Sequence, residues 1–431
     1  MKLDKKRFFP AVIALAVMLS MLTLAACSQI EGSASASSVP ASVEQSAGAA
    51  SSGSAVISPA AGEGTDDAFS EAFSKRDLSG EYDAEEAVLI DLDEAEGSDV
   101  VISEAGTYVI SGALSNGSVI VDAADEDKIQ LVLNGARISS DTYAAIYVKQ
   151  ADKVFITLAE GTENELANGG SFTQRDDNSV DGAIFSKDDL TINGAGSLTV
   201  VSPAEHGIVC KDELVITGGV ISITAGSHAI QAKDSIAVSD GSITVRAGKD
   251  GLHAENDEDD ALGTIYITGG SFSITAGDDG IHAESLLRID GGKLDITAAE
   301  GLEATYVLIN DGDITISASD DGINAARKST AYTPTVEING GSLDISMGQG
   351  DTDGIDANGN LVITGGSINV TGNSAFDCDG SVTWTGGTVT VNGQQQTEIT
   401  NQMFGGPGGF GGQSGQSFGG QSGQGFGGKH R

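Results

Sequence analysis

A chain of 431 residues with 60 Gly, only 6 Pro and 5 % aromatic residues can bury a large core, but one built from Ile, Val, Leu and Ala. Its formal charge of −40 repels nucleic acid and anionic membrane, and favours cations or cation-bridged ligands. The three cysteines, Cys27, Cys210 and Cys378, suggest no disulfide framework.

The chain opens with a basic stretch (Lys2, Lys5, Lys6, Arg7), an apolar run from Phe8 to Leu24 and the box Leu24-Ala25-Ala26-Cys27. This resembles a bacterial lipoprotein signal, which implies removal of residues 1–26, lipidation of Cys27 and an extracytoplasmic protein exposed at the cell surface. The lipid is then the only contact expected with membrane. Residues 27–66 are Ser, Ala and Gly with scattered Glu, too poor in apolar surface to fold, and read as a flexible tether. At the far end, residues 397–431 form a Gly/Gln/Ser/Phe-rich tail of the same disordered composition.

Ordered sequence begins at residue 67. From 67 to 150, alternating apolar runs such as Tyr108-Val-Ile, Val119-Ile-Val and Ile129-Gln-Leu-Val-Leu are separated by Asn-Gly and Ser-Gly turns, predicting an irregular β cap and first coils. From 151 to 396 a unit recurs, opened at Asp181, His206, His228, Asp250, Asp279, Glu300, Asp321, Asp353 and Ser374. Its base length is 21–22 residues, with insertions near Asn256–Leu262 and Arg327–Pro334. Each copy carries an opening of the type Asp279-Gly-Ile-His-Ala and two alternating runs split by Gly-Gly or Asp-Gly. Period-two runs at a fixed repeat make short parallel strands coiled into a solenoid. The predicted fold is all-β, a right-handed parallel β-helix with one coil per unit and a monomeric state.

Outward columns then carry the chemistry. The opening residues place Asp250, Asp279, Glu300, Asp321 and Asp353 in register; three positions on come His253, His282, Glu303, Asn324, Asp356 and Asp377; just before the corner lie Asp278, Asp320 and Asp351. Coils stack at about 4.8 Å, so neighbouring carboxylates repel by about 1 kcal/mol even with water-like screening. Ca2+, which takes six to eight oxygen ligands, is the expected counter-ion, with the pair of coils carrying Asp278, Asp279, Glu300 and Glu303 as its best site. The competing explanation is turn chemistry, since Asp-Gly is a favoured turn dipeptide. His206 and His228 fall elsewhere in the unit, and the histidines are read as a solvated polar set rather than as transition-metal ligands.

The segments Phe73-Ser-Lys-Arg-Asp-Leu-Ser-Gly-Glu-Tyr-Asp, Gly106-Thr-Tyr-Val-Ile-Ser-Gly, Lys128-Ile-Gln-Leu-Val-Leu-Asn-Gly, Ala144-Ala-Ile-Tyr-Val-Lys and Val154-Phe-Ile-Thr-Leu-Ala-Glu-Gly, with the repeated Asp-Gly-Ile-x-Ala, resemble a bacterial β-helix carbohydrate-binding family. The resemblance implies a pectate-lyase-like β-helix without established catalysis, binding calcium on its acidic coils and an acidic polysaccharide of the polygalacturonate type. Two other functions compete: a polysaccharide lyase on the same fold, and a non-binding surface rod or adhesin. Lyase chemistry needs a basic residue beside the calcium cluster. Arg288, outward between Tyr266 and Leu308, is the candidate, but a surface ion pair is the commoner role for such an Arg. Polygalacturonase chemistry needs three aspartates with a His and an Arg-x-Lys element, and Arg288-Ile-Asp290 has no Lys.

Overall fold

A computed structural model describes residues 69, 72–95, 97–349 and 352–399. The expected signal segment, Cys27, the tether, Asp351 and the tail from residue 400 lie outside the described residues. Among those described the structure is all β, apart from one 3-10 turn at Leu92–Ala95. No helix there is long and apolar enough to cross a membrane. The fold is a right-handed parallel β-helix of about 13 turns.

The coil built from Asp279 shows why this sequence coils. Strand Asp279–Ile289 bends between Ala283 and Leu286, where its register with the next coil shifts. A corner at Gly291-Gly292 follows, with Gly292 at φ +98°, a left-handed conformation that side chains rarely adopt. Strand Lys293–Ala298 alternates exposed and buried residues, so Leu294, Ile296 and Ala298 enter the core with Ile281, Ala283, Leu287 and Ile289. The next coil then opens at Glu300, paired in parallel with Asp279. Every ladder is parallel except the last, where Thr390 and Val391 pair antiparallel with Gln395 and Gln394.

Coils in register start well before residue 151: Val100 pairs with Val119, Val119 with Ile146, and Ile146 with Ile184. The spacing expected for the repeat holds from His206 onward, since Ile208, Ile230, Leu252, Ile281, Leu302, Ile323, Ile355 and Phe376 form one continuous column. One step differs. Ile184 pairs with Ile208, which sets His206 opposite Gly182 rather than opposite Asp181. The core decides this, because Ile184 and Ile208 point inward while Phe185 and Val209 pack on an outer cluster with Tyr143, Tyr147 and Val180.

Residues before the first coil run along the outside of the helix. Asp77, almost fully buried, accepts hydrogen bonds from Ser74 and from the Thr191 hydroxyl (2.6 Å), and its Oδ1 lies 3.1 Å from Lys153 Nζ. Burial alone would raise its pKa, but these partners hold the carboxyl below the usual range. Its backbone carbonyl accepts from Asn193 Nδ2, and Arg76 lies over the Phe155 ring. Cys210 and Cys378 are separate buried thiols.

Candidate functional site

The predicted second column is in register throughout. His253, His282, Glu303, Asn324, Asp356 and Asp377 are partners from coil to coil, and the same column continues backward through Gln231, Val209, Phe185 and Tyr147. The opening column, His206, His228, Asp250, Asp279, Glu300, Asp321, Asp353 and Ser374, runs alongside it.

Turn chemistry does not account for three of the acidic openings. Asp279, Glu300 and Asp353 each begin a strand, and none of the glycines after them has a positive φ. Those glycines answer a different need: a Cβ on Gly280 would lie 2.3 Å from Ile296 Cγ2 and 2.6 Å from the Gly301 carbonyl oxygen. The acids themselves link coils. Asp250 Oδ1 accepts the Asp279 amide (3.1 Å), and Asp321 Oδ1 accepts the Asp353 amide (2.9 Å). One oxygen of each is thereby engaged, and the second oxygen of Asp250 faces His253 in the neighbouring column.

Nor are the columns solvated. Asp250, His253, Asp279, His282, Glu303 and Asn324 are all buried. Glu300, Asp321, Asp353, Asp356 and Asp377 are half-buried, and Asp278 and Asp320 are exposed at the corner. The histidines form a ladder that sequence position concealed: His206 stacks on His228, His228 on His253 and His253 on His282, with ring centroids 5.1, 4.3 and 4.8 Å apart. The ladder steps from the opening column to the second column between His228 and His253.

Three electrostatic zones follow along the axis. In the first, Asp250 Oδ2 lies 3.0 Å from His228 Nδ1 and 2.7 Å from His253 Nδ1. Burial would raise this carboxyl, but the two imidazoles hold it far below the usual range. In the second, Asp279, Glu300 and Glu303 bring carboxylate oxygens within 4.8 Å of one another, as the sequence predicted for this pair of coils. This trio already has cations: His282 Nδ1 lies 2.8 Å from Asp279 and 2.7 Å from Glu303, and Lys328 Nζ lies 2.9 Å from Glu303. Burial would lower His282, yet its two carboxylates push it up to about 10. Glu300, half-buried and facing Glu303, rises to about 8 through burial first and then through that carboxylate, while accepting a hydrogen bond from Asn324 Nδ2 (3.0 Å).

The third zone is different. Asp321 rises to about 6 and Asp356 to about 7, both through burial first and then through neighbouring carboxylates, with Asp353 and Asp377 acting on each. Asn324 Oδ1 and Asp377 Oδ1 are buried there without a hydrogen-bond partner, and Asp353 accepts the Ser374 hydroxyl. These carboxylates raise one another's pKa, although no three of them bring their oxygens as close together as Asp279, Glu300 and Glu303 do. Such a set suits a hard cation better than any arrangement among themselves.

Sequence reasoning missed Lys328, which sits in the insertion at Arg327–Pro334 rather than in the repeat. It also missed the meeting of the two insertions, where the Ser329 and Thr330 hydroxyls both bond Asp260. Arg288 does lie between Tyr266 and Leu308 in register, and its guanidinium is held by Asp290 at 2.9 Å while lying over the Tyr266 ring.

A curated protein of Acetivibrio thermocellus, described as a carbohydrate-binding domain-containing protein, is 40 % identical over 129 residues. The match takes in 30 % of this chain and 45 % of that protein, less than half of its length. A solved structure described as a polysaccharide lyase-like protein from C. thermocellum, in a gadolinium derivative, is 31 % identical, covering 56 % of this chain and 97 % of its own, with a TM-score of 0.46. The family model described as carbohydrate-binding domain-containing protein matches residues 96–351 and 301–398, which takes in nearly every coil, and the chain belongs to that family.

Proposed function

We propose that this protein binds an acidic polysaccharide of the polygalacturonate type at the cell surface, through Ca2+ held on the carboxylate columns. The observation that carries the reading is the pair of partnerless buried oxygens, Asn324 Oδ1 and Asp377 Oδ1, among Asp321, Asp353 and Asp356. Asp279, Glu300 and Glu303, with carboxylate oxygens within 4.8 Å of one another, offer the converging oxygen set that calcium prefers once His282 and Lys328 give way. Asp321, Asn324, Asp353, Asp356 and Asp377 extend the row of oxygen donors along the same columns. An anionic protein and an anionic polymer repel one another. Calcium with open coordination positions offsets that repulsion by accepting carboxylates from both. Anchoring through lipid on Cys27 would hold the helix at the membrane exterior.

Retention on immobilised polygalacturonate, measured with calcium and then in excess EDTA, tests the proposal. Binding should be lost in EDTA and return on adding calcium; retention unaffected by chelation would sink the bridging mechanism. A lyase would release unsaturated uronides that absorb in the ultraviolet, and a passive rod would bind no glycan in either condition. A glycan array run both ways identifies the polymer.

A further inference from the structure

The first electrostatic zone has a composition that hard-cation chemistry does not explain. Asp250 Oδ2 receives two imidazole nitrogens, Nδ1 of His228 at 3.0 Å and Nδ1 of His253 at 2.7 Å, and the three donor atoms lie within 4.8 Å of one another. Two nitrogens and one carboxylate oxygen converging on a point form the donor set of borderline divalent metals such as Zn2+, whereas Ca2+ takes oxygen.

The surroundings prepare that set. Asp250 Oδ1 is fixed by the Asp279 amide, which holds the carboxylate in orientation. His253 turns its other nitrogen, Nε2, toward Glu255 Oε2 at 3.1 Å. A carboxylate on the far nitrogen of an imidazole keeps the proton there and leaves the near nitrogen as a metal donor, the arrangement usual for ligating histidines. The ring stack on either side, with His206 against His228 and His282 against His253, restricts both imidazoles to their observed tilt. Gln231, the coil neighbour of His253, has its buried Oε1 without a hydrogen-bond partner, as does His206 at Nδ1. These are spare donors flanking the cluster.

We propose that His228, Asp250 and His253 form a transition-metal site of the Zn2+ class, joining two coils and distinct from the all-oxygen zones nearer the C-terminus. Three protein ligands leave a fourth position for water or for a ligand oxygen. In the metal-free chain His253 Nδ1 shares a proton with Asp250 Oδ2, while His228 Nδ1 accepts the Asp250 amide at 3.3 Å; a metal takes the place of both contacts, and the displaced proton passes to solvent.

The test is a titration of the full chain, stripped with chelator and dialysed, with Zn2+ alone against a fluorescent zinc indicator, repeated in millimolar Ca2+. One equivalent should bind and resist calcium. His228→Ala and His253→Ala should each weaken it by more than about 10-fold, while Thr315→Ala on an exposed face leaves it unchanged. Co2+ in place of zinc should give the visible absorption of a four-coordinate ion, lost in the same variants. If a histidine variant does not fold, Glu255→Gln carries the test, with an expected loss of about 10–100-fold. No saturable zinc binding, equal displacement by calcium, or unchanged affinity in the folded variants would overturn the site. None of these outcomes depends on polysaccharide retention, so this proposal and the calcium reading stand or fall separately.

Discussion

One outward column runs through the helix and changes character midway. Toward the N-terminus it reads Ile120, Tyr147, Phe185 and Val209; after Gln231 it reads His253, His282, Glu303, Asn324, Asp356 and Asp377. The backbone is the same in both halves, so the difference lies in side chains alone. In the first half the column is closed by protein: Tyr147 packs edge-on against Tyr143 and Phe185, Val180 lies against them, and Arg175 sits over Tyr143 at 4.1 Å. In the second half imidazoles and then buried or half-buried amide and carboxylate groups take the place of the rings. A stacked fold thus offers one row of equivalent positions, and spends part of it on packing and part on charge.

The largest effect is expected in the aromatic half. Tyr147→Ala removes a ring that is almost fully buried, and should cost about 3–5 kcal/mol of stability in chemical denaturation while leaving calcium affinity unaltered. A shift in calcium affinity would mean the two halves are coupled. Next comes the pH response of the acidic half. Glu300, Asp356 and Asp321 have pKa values of about 8, 7 and 6, all above their values in an unfolded chain. The folded state therefore holds more protons than the unfolded one between about pH 4 and 8, and stability falls as pH rises across that window. Thermal melts of chelated protein should drop by several degrees from pH 5 to pH 8, and saturating calcium should remove most of the drop.

Asp356→Asn sharpens the comparison through a change of sign. Without calcium it removes one of several mutually repelling carboxylates, and should raise the melting temperature by a few degrees. With calcium the same variant should melt lower than the parent and bind calcium more than about 10-fold weaker. A purely structural Asp356 would lower both melts. Smallest of all, Lys328→Ala releases Glu303 from its ammonium, and should strengthen divalent-cation binding at Asp279, Glu300 and Glu303 by a few-fold in calorimetry.

The architecture was legible because period-two alternation fixes which face each residue takes, and a repeat of constant length fixes which residues stack. The one misplaced step, at Ile184 and Ile208, arose where two apolar residues stand side by side. Ile184-Phe185 and Ile208-Val209 offer either neighbour to the core, and only packing volume decides between them. The acidic columns were legible for the same reason as the fold. Their burial was not, since it depends on neighbouring coils and on the partners each acid finds there. The histidine ladder was hidden because residues three apart in one coil lie side by side, so His228 in one column reaches His253 in the other. Lys328 and Asp77 act across long separations in sequence, from segments that no periodicity describes.

The contact between the two insertions has a mechanical consequence. Asp260 follows the coil of Leu252, and Ser329 follows that of Ile323, with the coils of Ile281 and Leu302 between them. A solenoid under tension peels one coil at a time, because each is held only by its neighbours. The Asp260–Ser329 clip spans coils that do not touch, so this stretch of the rod must yield as a block. It is also the stretch carrying Asp279, Glu300 and Glu303, which keeps those carboxylates aligned when the rod is pulled.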